Sequence, residues 1–209
     1  MPAPQGPNPG LDTPHQMLFD DATEMQNRFT NIYNSEPAGG FFFRDGIDII
    51  LAHADCIGLR YYYAYDDNKL KIIMLGVEAE TYNDLYNNTI IGRAQTDPPY
   101  NDGASITTVD QRISLPDAAL LTQAFRNKYP TLLTGGFFLR SIIDYFINID
   151  DVIGLRYKFG LTVDDKLKLI INPVHDSFYD MDVYNSASQK IECELSDGGG
   201  GGNAGNPLR

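Results

Sequence analysis

Tryptophan is absent from this chain of 209 residues, and there are only two cysteines and three histidines. Cys56 and Cys193 lie at non-equivalent places in the two halves of the chain, so the halves share no disulfide framework or metal knuckle, and the two read as free, largely buried thiols. His15, His53 and His175 fall in no His-Glu-x-x-His pattern, so neither a metal nor a cofactor is expected. Basic residues are scarce as well. With 16 Lys and Arg against 28 Asp and Glu, the net charge is −12, which speaks against nucleic acid and anionic membrane surfaces, because both are held by clustered cations. No window reaches the roughly 18 apolar residues of a membrane span, and the start, Met1 to Gly10, is Pro-rich rather than basic and then apolar. The expected location is the cytoplasm. There is no Gly-x-Ser-x-Gly elbow and no dinucleotide fingerprint, so the usual catalytic signatures are missing.

What the chain does have is a duplication. Gly39-Gly40-Phe41-Phe42-Phe43-Arg44 returns as Gly135-Gly136-Phe137-Phe138-Leu139-Arg140, and Ile57-Gly58-Leu59-Arg60-Tyr61 returns unchanged as Ile153-Gly154-Leu155-Arg156-Tyr157. Aligned without a gap, 39–61 and 135–157 agree at 13 of 23 positions, far beyond chance. A repeated unit buries its apolar face against its copy, and the 43% hydrophobic content is enough for a core.

In each copy, an apolar stripe at steps of three and four marks a first helix: Leu18, Ala22, Met25, Phe29 and Ile32, started at Thr13-Pro14, and Ala118, Leu121, Phe125 and Tyr129, started at Ser114. A Gly-Gly turn follows, then a second, densely apolar helix near 44–54 or 140–150. Period-two alternation then marks a strand through Ile57, Leu59, Tyr61, Tyr63 and Tyr65, or through Ile153, Leu155, Tyr157, Phe159 and Leu161. Turns at Asp66-Asp67-Asn68 and Asp164-Asp165 lead to return strands over 70–77 and 167–174.

The expected fold is α+β: two tandem ααββ repeats related by a pseudo-twofold, with four helices packed on hairpins that form a small, mainly antiparallel sheet. The expected boundaries are a flexible arm at 1–13, repeat 1 at 14–87, a linker loop at 88–113 with Pro98-Pro99, repeat 2 at 114–195, and a Gly-rich tail at 196–209. Five consecutive glycines keep that tail from packing by itself.

Arg60 and Arg156 are the leading candidate binding residues. Each shares a strand face with a glycine, Gly58 or Gly154, so a multi-donor cation sits beside a gap that a ligand or another backbone could enter. The structural alternative pairs them with Asp48 or Asp55 and with Asp144 or Asp151. Arg44 and Arg140, repeated after the aromatic clusters, are further candidates, and so is Tyr62, which shares the face of Arg60 within a tyrosine-rich band suited to protein interfaces. A Cys56–His53 dyad would be confined to one copy, since the other has Val152 and Ile149 there; no catalytic residue is assigned.

The run Cys56-Ile57-Gly58-Leu59-Arg60-Tyr61-Tyr62-Tyr63, with its polar turn and the return strand to Val77, resembles a group of small bacterial proteins of unknown function, seen mainly in Bacteroidota. They carry a Cys-Val-Gly-Ile-Arg-x-Tyr-like strand and a return strand ending Val-Gly-Val-Asp. The resemblance covers about 20 residues per copy and implies a fold but no activity. In this chain Glu78 stands for the aspartate, and the second copy has Val152 for the cysteine and Asn172-Pro173-Val174 at the close.

Three readings follow. The favoured one is a non-enzymatic interaction or self-assembling structural protein, whose partner is a protein, itself included. The second is an enzyme or small-molecule and anion binder with a site between the copies built on Arg60 and Arg156. The third is an acidic inhibitor or immunity-type protein that masks a basic partner.

Overall fold

A computed structural model gives the structure of the chain and describes residues 16–86, 89–96, 110–184, 187, 189–194 and 206–208. The arm at 1–13, the expected helix start at Thr13-Pro14, Pro98-Pro99 and the glycine run lie outside the described residues. In chain order the elements are β1 (Gln16–Leu18), α1 (Phe19–Ile32), β2 (Gly39–Phe43), α2 (Arg44–Leu51), β3 (Cys56–Asp66), β4 (Lys69–Glu78) and β5 (Gln95–Thr96). The second half holds α3 (Leu115–Lys128), β6 (Gly135–Leu139), α4 (Arg140–Ile147), β7 (Val152–Leu161), β8 (Leu167–His175), β9 (Val183–Tyr184) and β10 (Lys190–Glu194).

This corrects the expected ααββ arrangement with one small sheet. The chain is mixed but sheet-rich, with two sheets: β1-β10-β8-β7-β2-β5, with β9 beside β10, and β4-β3-β6. The Gly-Gly segments were expected to be turns, but they are strands. They are strands because their glycines let another backbone come unusually close. A Cβ on Gly39 would lie 2.0 Å from the Tyr157 carbonyl oxygen, and one on Gly135 would lie 2.0 Å from that of Tyr61. The helix start is also corrected: Gln16–Leu18 pairs with Ile191–Cys193 as strand before α1 begins.

The strands are exchanged between the copies. β2 of the first copy pairs with β7 of the second, Gly40 opposite Tyr157, and β6 of the second pairs with β3 of the first, Gly136 opposite Tyr61. The helices follow: α1 packs on β7 and α3 on β3. Each hairpin, β3–β4 or β7–β8, is therefore completed by the helix and strand of the other copy.

The exchange explains the repeated motif residue by residue. Gly58 faces the Phe138 carbonyl and Phe137 ring of β6, where a Cβ would lie 2.1 and 2.7 Å away; Gly154 meets Phe42 and Phe41 of β2 in the same way, at 2.1 and 2.6 Å. Tyr61 lies over Gly136, and Tyr157 over Gly40. The gap beside each arginine is thus filled by the other copy's backbone. Both hairpins carry a register shift at the same place, between Cys56 and Gly58 and between Val152 and Gly154.

The main core is aromatic. Phe29, Tyr63, Phe125, Phe138, Phe146 and Phe159 are all buried, with Tyr63 and Phe159 rings 6.2 Å apart across the two copies. Of the tyrosine band, Tyr61 and Tyr63 belong to this core, Tyr62 is buried in a second, smaller cluster, and Tyr82 and Tyr179 are exposed. Within the stretch that joins the copies, Ile90, Ile91 and Gln111 are buried. The Gln111 side chain receives the Phe43 amide at 2.7 Å and donates to the Phe41 carbonyl at 3.0 Å, fixing β2 from behind. The hairpin turn of the first copy places Asp67 and Asn68 in the left-handed region, at φ of 50° and 59°, where these two residue types are tolerated.

Candidate functional site

Alternation along β3 puts Arg60 and Tyr62 on one face. The chain after β4 then folds back over that face, where Asp84 bridges to Val77. Arg60 Nη1 pairs with Asp84 Oδ1, and Nη2 donates to the Tyr82 carbonyl at 3.0 Å. Tyr62 donates its hydroxyl to the other carboxylate oxygen, Asp84 Oδ2, at 2.6 Å. All three side chains are buried. The expected partners, Asp48, Asp55, Asp144 and Asp151, are not used, because the covering loop rather than the neighbouring helix supplies the acid.

The second copy repeats the clamp. Arg156 pairs with Asp180 and donates to the Phe178 carbonyl at 3.2 Å. Tyr82 and Phe178, whose carbonyls are held, both have positive φ, 55° and 65°. A non-glycine residue in this region carries a cost of order 1 kcal/mol, and here the arginine offsets it by gripping the carbonyl that the unusual backbone presents. The copies differ two positions on, where Lys158 takes the place of Tyr62 and pairs with Asp180 Oδ2 at 2.7 Å.

That difference matters because the first copy's site is occupied by a distant part of the chain. Asn206 donates its amide to the Tyr62 hydroxyl at 2.7 Å and to Asp84 Oδ2 at 2.8 Å. Its side-chain oxygen accepts the Leu208 amide at 2.8 Å. Leu208 is fully buried among Tyr62, Ala64, Ile73, Leu75 and Ala118. Arg126 on α3 donates to the Leu208 carbonyl at 2.7 Å. Three residues at the far end of a glycine run are thus held by one amide clamp, one apolar pocket and one main-chain bond. Composition gave no sign of this; the expected tail at 196–209 is anchored at 206–208.

Burial, reinforced by the Asp84 charge, pushes the Tyr62 phenol up from 10.0 to about 12. Folding therefore favours the protonated phenol. Its stabilising contribution is complete below pH 10, the ordinary value, and is lost as pH rises through about 12. The urea midpoint is expected to fall across that window, and Tyr62→Phe should remove the part of the fall that belongs to this residue. Tyr129, also raised by burial, titrates in both proteins and cancels in the comparison, whereas Tyr86, raised by burial and in part by Tyr62 itself, belongs to the same alkaline group. An unchanged alkaline profile in Tyr62→Phe would refute the assignment.

The other sequence candidates sit on the helices. Arg44 and Arg140 pair one turn along with Asp48 and Asp144, each at 3.2 Å, and Arg140 also donates to the Cys56 carbonyl at 3.0 Å. The structure therefore joins Arg60 with Tyr62 and leaves Arg156 in the other sheet, each arginine with its own carboxylate. The Cys56 thiol is turned to the Gly58 carbonyl, 3.3 Å away. Among the described residues, no three His, Cys, Asp or Glu side chains are grouped to hold a metal, and no helix is long and apolar enough to cross a membrane. Missed by the sequence reading were Asp84 and Asp180, although they lie at equivalent places in the two copies. No family model, curated protein or solved structure matches this chain.

Proposed function

We propose that this chain is a non-enzymatic interaction protein that recognises a polypeptide segment on the outer face of its first hairpin. The observation that carries the reading is the capture of Asn206 and Leu208 in a site of buried side chains. The contacts are those of peptide recognition: an amide read by a phenol and a carboxylate, a leucine in an apolar pocket, and a main-chain carbonyl read by an arginine. The arginines that would build an anion site are instead matched by Asp84 and Asp180. The net charge of −12 fits a protein partner better than a nucleic acid.

The test uses a chain ending at Gly205 and a synthetic peptide of residues 203–209, with binding followed by calorimetry. One peptide should bind per chain. Leu208→Ala in the peptide should weaken binding by at least about tenfold, because a fully buried leucine contributes roughly 2 kcal/mol. A peptide that fails to bind, or a scrambled one that binds equally, would overturn the reading.

A further inference from the structure

We infer that the outer edge of β6 is a docking site for an extended strand of another polypeptide. This surface is separate from the site on the first hairpin, and the inference does not rest on it.

The two copies present the same edge and treat it differently. β2 and β6 share the run Gly-Gly-Phe-Phe, and each pairs on one side with the other copy's hairpin. On its other side β2 is covered. Gly40 and Phe41 pair there with Thr96 and Gln95 of β5, and the Gln111 side chain accepts the Phe43 amide and donates to the Phe41 carbonyl. β6 instead ends its sheet, and among the described residues nothing is hydrogen-bonded along its far side.

The register says which groups are left open. The Thr134 carbonyl accepts the Tyr63 amide at 2.9 Å, so Thr134, Gly136 and Phe138 turn their backbone groups toward β3. Alternation then turns the amide and carbonyl of Phe137, and the amide of Leu139, outward. These correspond to the groups of Phe41 and Phe43 that β5 and Gln111 engage. Burial follows the same division: β2 is buried at all its positions, whereas Gly135, Phe137 and Leu139 are half-buried.

An open strand edge is a template for pairing with another chain, and proteins usually block it with a charge, a proline or a cover. β6 contains neither charge nor proline. The first copy shows what such an edge takes: an antiparallel strand with uncharged side chains, as in Ala94-Gln95-Thr96, read mainly through its backbone.

The test supplies that strand in trans, as a capped synthetic peptide of residues 91–96, to the isotope-labelled full chain and follows the amides by NMR. The resonances of Gly135, Phe137 and Leu139 should move saturably, and those of Gly136 and Phe138 less. Methylating the Gln95 amide of the peptide removes the donor to the Phe137 carbonyl and should weaken binding about tenfold. On the protein, Leu139→Pro removes an outward amide. Leu139 already has a φ of −61°, which proline adopts, so a thermal melt should show the fold kept while binding falls by a similar factor. Leu139→Ala keeps the amide and should still bind. Absence of binding, equal binding by the methylated peptide, or equal losses in Leu139→Pro and Leu139→Ala would sink the inference. Shifts confined to Gly40 and Phe41 would mean exchange with β5 and would also overturn it. So would concentration-dependent shifts of the β6 amides without peptide, which would give the edge to a second copy.

Discussion

Gly135→Ala is expected to lower the melting temperature by roughly 6–20 °C, and Gly39→Ala to do the same, although neither adds more than one methyl group. Elsewhere Gly→Ala commonly stabilises by about 0.4–1 kcal/mol, since it restricts the unfolded chain. Here the sign inverts. The added carbon would lie 2.0 Å from a backbone carbonyl oxygen on the facing strand, Tyr61 in one case and Tyr157 in the other. Backbone cannot swing aside as a flexible side chain can, so the strand pair itself must part. The expected cost is on the order of 3–5 kcal/mol, which for a chain of this size gives the stated shift. Gly46→Ala is the control, with its nearest neighbour the Ile91 side chain at 3.3 Å, and it should have a much smaller effect. Thermal melts followed by circular dichroism decide the matter. Equal effects at the three positions would mean that close strand approach is not what the repeated glycines provide.

The second large effect separates two arginines that the sequence presents as equivalents. Arg60→Ala should cost about 3–5 kcal/mol, because it strands a carboxylate, Asp84, whose side chain is 0% exposed. Arg156→Ala should cost clearly less, because Asp180 is 28% exposed and keeps Lys158 as a partner. Removing both members of the first pair, Arg60→Ala with Asp84→Ala, should recover part of the loss, since the penalty lies mainly in the unpaired charge. Urea denaturation of the three variants beside the unmodified chain measures each difference. If Arg60→Ala and Arg156→Ala were equally mild, the buried clamp would not be holding the covering loop.

The duplication, the amphipathic helices and the two hairpins were legible in the residues, because each rests on local periodicity and turn chemistry. The Ser114 cap is one example, accepting the Asp117 amide at 3.2 Å. Which hairpin each Gly-Gly strand joins was not legible. The motif Ile-Gly-Leu-Arg-Tyr is identical in both copies, so pairing within a copy and pairing between copies satisfy the same pattern. The choice is made by three-dimensional closure, which local periodicity does not encode. The arginine partners differ from expectation for a related reason: Asp48, Asp55, Asp144 and Asp151 lie on or just after the neighbouring helices, whereas the acids come from the loops beyond β4 and β8. Asp84 and Asp180 recur at the spacing of the repeat, as Arg60 and Arg156 do, and that coincidence was the available signal. Asn206 has no counterpart in the other copy, so nothing in the sequence marked it.

The reciprocal strand pairing also sets a timetable for synthesis. As the chain leaves the ribosome, β3 and β4 can close their hairpin at once, but β6 and α3 of the later copy are still to be made. The edge of β3 therefore waits, unpaired and apolar, for its third strand. The larger sheet waits longer still, since Gln16–Leu18 meets its partner only when Ile191–Cys193 has emerged. Such late, long-range pairings slow folding and leave open edges exposed to neighbours in the meantime. The arrangement that ties the finished molecule together thus keeps both of its hairpins incomplete until the second half has been made.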